Sequence, residues 1–184
     1  MLTWFGRGTV KVQVSWRMRS APLSWGALRR SLGDAYAKGQ GVPRDFAQAA
    51  AWYRRAADQG NADAQYSLGE MYYAGDGVSE DQVEAAGWFR KAAESGQGDA
   101  QFNLAVMFYE GTGVRQDYSE SYFWFYVAAE SKMMGGNFEL ADHEKVLLRR
   151  DENATYLTES SLSRTQERAR KWFEDHPAKE DPYQ

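Results

Sequence analysis

The chain repeats itself every 36 residues, and no other feature of the sequence constrains the fold so strongly. Three rows of 36 residues align without a gap, and the same residue types return in the same columns. The recurring columns are Leu32/Leu68/Leu104, Gly33/Gly69/Ala105, Tyr36/Tyr72/Phe108, Gly39/Gly75/Gly111, Gly41/Gly77/Gly113, Asp45/Asp81/Asp117, Trp52/Trp88/Trp124 and Ala56/Ala92/Ala128. The period predicts three copies of one structural unit that stack side by side.

Each copy is predicted to be a helix–turn–helix unit. In the second copy Ala64, Leu68 and Tyr72 recur at a spacing of four, which is the apolar stripe of an amphipathic helix. Gly75 can adopt the left-handed conformation that ends such a helix. In every copy the column aspartate is followed three residues later by glutamine or glutamate, which predicts a capping box with two reciprocal hydrogen bonds at the start of a second helix.

Small residues inside the first helix predict close packing. Gly69 lies within the apolar stripe, where glycine costs about 1 kcal/mol relative to alanine, so a neighbouring helix is expected to pass too close for a side chain. Ala105 respects the same size limit in the third copy. The tryptophan column stands beside paired alanines at helical spacing, and it is expected to form core rather than a ladder for stacking a ligand.

These motifs resemble the Sel-one-like repeat (SLR) family, which is related to tetratricopeptide repeats. The pattern is Ala-x-x-x-Leu-Gly-x-x-Tyr, then Gly-x-Gly-Val, then Asp-x-x-x-Ala-x-x-Trp with paired alanines and a closing glycine. The resemblance covers Ala27 to Lys132, and the third copy departs from it at Ala105, Tyr122 and Lys132. It implies an all-α fold, a right-handed α/α superhelix (solenoid) of three helix–turn–helix repeats.

The resemblance also gives the expected division of the chain. Solenoids need half-polar ends, because an uncovered repeat face would aggregate, so we expect C-terminal capping helices after the third repeat. The expected segments are an irregular basic segment or decayed half-repeat at 1–26, repeats at 27–62, 63–98 and 99–134, capping helices at 135–176 and a frayed tail at 177–184.

The sequence offers no catalytic constellation. The absence of cysteine excludes disulfides, thiolate nucleophiles and cysteine-based metal sites. His143 follows Glu139 by four residues, but without a second histidine at helical spacing this pattern favours a solvated surface over a metal or general-base site. We therefore expect no enzyme, no cofactor and no metal. Some cysteine-rich members of the family have been linked to binding or hydrolysing β-lactam compounds. A hydrolase of this β-lactamase-like kind is therefore an alternative function, but this chain lacks those cysteines.

Charge and hydropathy narrow the choice of partner and compartment. A net charge of −4 argues against general binding of nucleic acid. No apolar stretch reaches the length of about 18 residues that a membrane span needs. We expect a monomer, in the cytoplasm and of bacterial origin. No acidic residue precedes Asp34, and the basic leader resembles an organellar transit peptide, although without an amphipathic period it is better read as irregular.

The expected function is that of a non-catalytic adaptor or scaffold. In tetratricopeptide relatives, first-helix positions that face away from the second helix line the concave surface, where a protein or peptide binds. The corresponding residues here are Arg30, Asp34, Lys38, Tyr66, Glu70, Tyr73, Phe102, Val106, Tyr109 and Glu110. Tyr66 and Phe102 would equally well pack between repeats. A dedicated regulatory or neutralising subunit for one effector or toxin is a further alternative.

Overall fold

The computed structural model describes residues 25–133 and 140–177, and within these ranges it contains eight α-helices and no β-strand. The expected all-α solenoid is confirmed. The helices are α1 (Trp25–Lys38), α2 (Phe46–Ala57), α3 (Ala62–Ala74), α4 (Gln82–Glu94), α5 (Gly98–Glu110), α6 (Tyr118–Met133), α7 (Leu140–Ala154) and α8 (Glu159–Asp175).

The helices pack in the order in which they occur along the chain. Pairs α1/α2, α3/α4 and α5/α6 form the three hairpins, and α2/α3 and α4/α5 join one hairpin to the next. The first helix of each hairpin begins one or two residues before the expected repeat boundary, at Trp25, Ala62 and Gly98. The expected N-terminal segment and tail lie outside the described residues, apart from Trp25, Gly26 and Pro177.

The close approach predicted at Gly69 is present, and the neighbour is an aromatic ring. A Cβ atom on Gly69 would lie 2.7 Å from Cδ1 of Phe89, which belongs to the second helix of the same repeat. In the first repeat a Cβ atom on Gly33 would lie 2.5 Å from Cδ1 of Tyr53. The small-residue column therefore exists because a ring from the second helix passes beneath the first.

The tryptophan column contributes to the core, as its spacing predicts. Trp88 and Trp124 are 6% and 3% exposed, and each belongs to a cluster of buried apolar side chains. Trp52 is half-buried, and the guanidinium carbon of Arg55 lies 4.7 Å from the centroid of its indole ring. The column is thus buried most completely in the second and third repeats.

The predicted capping boxes are only half formed. Asp81 Oδ1 accepts a hydrogen bond from the backbone N–H of Glu84 at 3.0 Å, as expected. The reciprocal bond is replaced, because the backbone N–H of Asp81 donates to the carbonyl oxygen of Tyr72 in α3 at 2.9 Å. The same replacement ties Asp45 to Tyr36 and Asp117 to Phe108, at 3.0 Å each. Each cap therefore fastens the second helix of a hairpin to the first.

The second loop glycine lets one repeat stack on the repeat before it. Gly77 has a φ of +70°, and a Cβ atom there would lie 2.3 Å from the backbone carbonyl carbon of Phe46 at the start of α2. Gly113 lies against Gln82 at the start of α4 in the same way, with 2.0 Å from a Cβ atom to the carbonyl oxygen. Only glycine satisfies both the backbone angle and the contact.

Two helices cover the third repeat, since α7 and α8 both pack on α6. Val146 of α7 and Ala169 of α8 are fully buried in the same cluster as Trp124. Arg168 of α8 forms an ion pair with Glu120 of α6, and its guanidinium carbon lies 3.9 Å from the ring centroid of Phe123. These contacts give the solenoid the half-polar end that its pattern requires.

Candidate partner-binding groove

A cavity of about 530 Å³ opens between the first helices of the three repeats. We call it the inner groove. Ala37 of α1 lines one end, and the middle and the other end are lined by Ser67, Glu70, Met71 and Tyr73 of α3 and by Asn103, Val106 and Met107 of α5. Its volume is in the range of clefts that bind small ligands or a few side chains.

Aromatic rings from the second helices also line the inner groove. Tyr53 of α2 and Phe89 of α4 reach it because they lie beneath Gly33 and Gly69 of the first helices. Sequence reasoning placed only first-helix residues on this surface. The signal that could have revealed the rings is a small-residue column followed, 20 residues later, by an aromatic column next to the tryptophan.

The carboxylate of Asp34, which is paired with Arg30, lies beside the groove in the first repeat. Tyr53 donates its phenolic O–H to Asp34 Oδ1 at 2.7 Å. Arg30 contacts Asp34 at 3.8 Å and Asp63 of the next repeat at 3.5 Å. Burial, followed by the hydrogen bond to Asp34, raises the pKa of Tyr53 well above its usual range, so its phenol stays protonated. The negative charge of Asp34 is therefore balanced by Arg30.

The corresponding carboxylate in the second repeat has a neutral partner. Tyr66 donates its O–H to Glu70 Oε1 at 2.7 Å. Burial raises the pKa of the Glu70 carboxyl, the hydrogen bond from Tyr66 opposes this effect, and the charge of Asp99 adds to it. The ion pairs found among the described residues do not include Glu70.

The ten residues expected on the binding surface fall into three groups. Glu70, Tyr73 and Val106 line the inner groove, and the side chain of Tyr73 is 44% exposed. Arg30, Asp34 and Tyr66 lie beside it in the contacts described above. The other four are Lys38, Phe102, Tyr109 and Glu110, which do not line it.

Two of those four pack against the C-terminal cap. Phe102 makes an edge contact with Phe125 at 5.6 Å between ring centroids, and Lys145 of α7 lies 5.8 Å from its centroid. Tyr109 makes edge contacts with Tyr118 and Tyr156, and its hydrogen bond to Tyr156 raises its pKa to about 12. Lys38 and Glu110 are exposed at the C-terminal ends of α1 and α5.

The described part of the chain contains no cluster of three or more histidine, cysteine or acidic side chains that could hold a metal ion. His143 is half-buried at the start of α7, and Glu139, its expected neighbour, lies outside the described residues. None of the described helices has the length and apolar character needed to cross a membrane.

Solved structures of similar fold include two bacterial proteins. One is c5321, a protective antigen present in uropathogenic Escherichia coli strains and displaying an SLR fold, with 35% identity and a TM-score of 0.57. The match covers 70% of this chain but 31% of the antigen, so the chain spans less than half of that protein. The other is a Sel1 repeat protein from Oxalobacter formigenes, with 26% identity, a TM-score of 0.58, and coverage of 81% of this chain and 71% of that protein.

Family comparison agrees with the repeat observed in the sequence. No curated protein matches the chain significantly. The Sel1 repeat model matches three consecutive spans, 30–61, 62–97 and 98–132, which correspond to the three hairpins. Sel1 repeat proteins are generally protein-interaction modules and typically non-catalytic helical scaffolds. Because the matched spans make up more than half of the chain, this protein belongs to the Sel1 repeat family.

Proposed function

We propose that this protein is a non-catalytic adaptor that holds a segment of a partner protein in the inner groove. The observation that carries the proposal is the cavity itself, because it is formed jointly by α1, α3 and α5 and combines aromatic and apolar walls with a few polar groups. Such a surface suits an extended peptide or a helix, whose apolar side chains enter the cavity while its polar groups meet the rim.

Tyr73 is the most exposed of the aromatic rings that line the inner groove. Its ring lines the inner groove and remains 44% exposed, so a bound segment would bury additional aromatic surface. Rigid rings bury a large area with little loss of side-chain entropy, and they are enriched among the residues that dominate binding energy. Val106 lines the cavity from α5, where a larger side chain would fill the space that the segment needs.

The proposal can be tested with peptides selected from a random phage-displayed library on the immobilised full chain. We expect saturable binding by fluorescence anisotropy, weakened about tenfold by Tyr73→Ala and abolished by Val106→Trp. Val83→Trp is the matched control, because Val83 lies on α4 outside the groove and is 69% exposed. Circular dichroism would verify that all variants keep their helicity. Selected peptides that bind both groove variants as tightly as the parent would refute the proposal, as would a library that yields no binder.

A further inference from the structure

We infer that the inner groove accepts a lysine or arginine side chain of the bound segment, with the carboxylate of Glu70 as its partner. This inference rests on the proposed function and specifies the chemistry of the segment. It comes from the comparison of the first repeat with the second. Asp34 and Glu70 occupy the same position of the 36-residue unit and both are acidic, but their surroundings differ.

In the first repeat the cation belongs to the chain itself. Arg30 lies between two carboxylates, with Asp34 at 3.8 Å in its own helix and Asp63 at 3.5 Å in the helix of the next repeat. Both acids therefore have a positive partner. The arrangement bridges α1 and α3 beside the inner groove.

In the second repeat the same three positions hold two acids and no cation. A shift of 36 residues converts Arg30, Asp34 and Asp63 into Tyr66, Glu70 and Asp99. Tyr66, which is uncharged, donates a hydrogen bond to Glu70 at 2.7 Å. Burial raises the pKa of the Glu70 carboxyl, and the charge of Asp99 raises it further. Glu70 is exposed to solvent, and its carboxylate has no positive partner in the ion pairs found among the described residues.

The lining of the groove supplies no cation either. Its ionisable side chains are Glu70, Asp76, Tyr53 and Tyr73, and the described residues that line it include no lysine, arginine or histidine. Arg30, the cation paired beside the groove, is already bound by two carboxylates. A basic side chain with apolar neighbours matches this surface, since its charge would meet Glu70 while its stem and neighbours contact Val106 and the exposed ring of Tyr73.

The test uses the peptides selected above and three variants of the full chain. Glu70→Gln removes the charge but keeps an acceptor for Tyr66. Tyr66→Arg places the cation of the first repeat into the second, so that Glu70 is already paired. Glu84→Gln is the control, because it raises the net charge by the same one unit at an exposed position of α4 outside the groove.

We expect the selected peptides to share a lysine or arginine beside an apolar residue. Their affinity should fall about tenfold in both Glu70→Gln and Tyr66→Arg, which corresponds to the loss of a charged hydrogen bond, and remain unchanged in Glu84→Gln. Affinity should also fall as the pH is lowered through the raised pKa of Glu70, because protonation removes the charge that the peptide requires. Glu70→Gln should flatten this dependence on pH.

Other outcomes separate this inference from the proposal on which it rests. Peptides that lack basic residues, or that bind Glu70→Gln as well as the parent, yet lose binding in Val106→Trp, would overturn the inference and leave the groove as the binding site. Insensitivity to Val106→Trp would overturn both. Displacement of the peptides by spermidine at an equal concentration would show that a free polyamine is the occupant, and it would overturn the assignment to a protein segment.

Discussion

Gly69 allows the two helices of the second repeat to pack closely, because its side chain is a single hydrogen atom. We expect Gly69→Leu to lower the free energy of unfolding by about 3 kcal/mol, because the ring of Phe89 occupies the space that the side chain needs. Urea denaturation followed by circular dichroism would measure the change. Gly87→Leu is the matched control in α4, where nothing lies within 4 Å of an added Cβ atom and leucine should stabilise the helix slightly. Equal stability of the two variants would contradict the close packing at Gly69.

The sequence predicts the need for a small residue at position 69, but not the identity of its neighbour. A glycine within an apolar stripe signals that space is limited, whereas the direction from which Phe89 arrives depends on how α4 is rotated against α3. The same limit applies to Tyr66. Its position in the repeat predicted that Tyr66 lies on the binding surface. Its hydrogen bond to Glu70 depends on side-chain rotamers, which no repeat pattern specifies.

At the scale of an element, the Gly-x-Gly loop has two glycines with different duties. The first, such as Gly75 with a φ of +75°, ends the helix. The second lies against the preceding repeat. This contact can be separated from the backbone angle, because no described residue precedes α1 in the first repeat. Gly41 and Gly77 have φ values of +77° and +70°, but only Gly77 has backbone atoms within 4 Å of an added Cβ atom.

We expect Gly77→Ala to destabilise the protein more than Gly41→Ala does. Both variants force alanine into the left-handed region, which costs about 1 kcal/mol, and Gly77→Ala must in addition displace the backbone at Phe46, 2.3 Å away. The difference between their unfolding free energies, measured by urea denaturation, isolates the stacking of one repeat on another. If the two variants lose equal stability, the loop does not serve as an inter-repeat contact.

Helix positions follow closely from the sequence, whereas the contacts that join helices do not. Asp81 and Glu84 predicted the start of the second helix in the second repeat, since α4 begins at Gln82. The backbone bond from Asp81 to Tyr72 could not be foreseen, because it depends on the path of the loop relative to α3. For the same reason Tyr109 was expected on the binding surface, although Tyr156, which follows α7, covers part of its ring.

At the scale of the whole molecule, the inner groove depends on the stacking of all three repeats. Its walls come from α1, α3 and α5, which belong to different hairpins, so its width changes whenever one repeat shifts relative to another. The buried apolar residues form two clusters, and half-buried Tyr72 packs against both. One cluster joins the second and third repeats to α7 and α8, and a smaller cluster joins the first repeat to the second. The groove therefore lies across the junction between a larger core and a smaller one.

This asymmetry predicts a gradient of stability along the solenoid. Repeats stabilise one another through their neighbours, and α6 packs against α5, α7 and α8, whereas α1 packs mainly against α2. In native-state hydrogen exchange we expect the slowest amides in α5 and α6 and the fastest helical amides in α1, because local opening begins where the fewest buried contacts must break. Peptide-resolved mass spectrometry in mild denaturant would measure the gradient, and equal protection of α1 and α6 would show that the chain opens as one cooperative unit. A selected peptide that bridges α1, α3 and α5 should slow exchange in α1 most, since binding then ties the least stable wall of the groove to the two that are more stable.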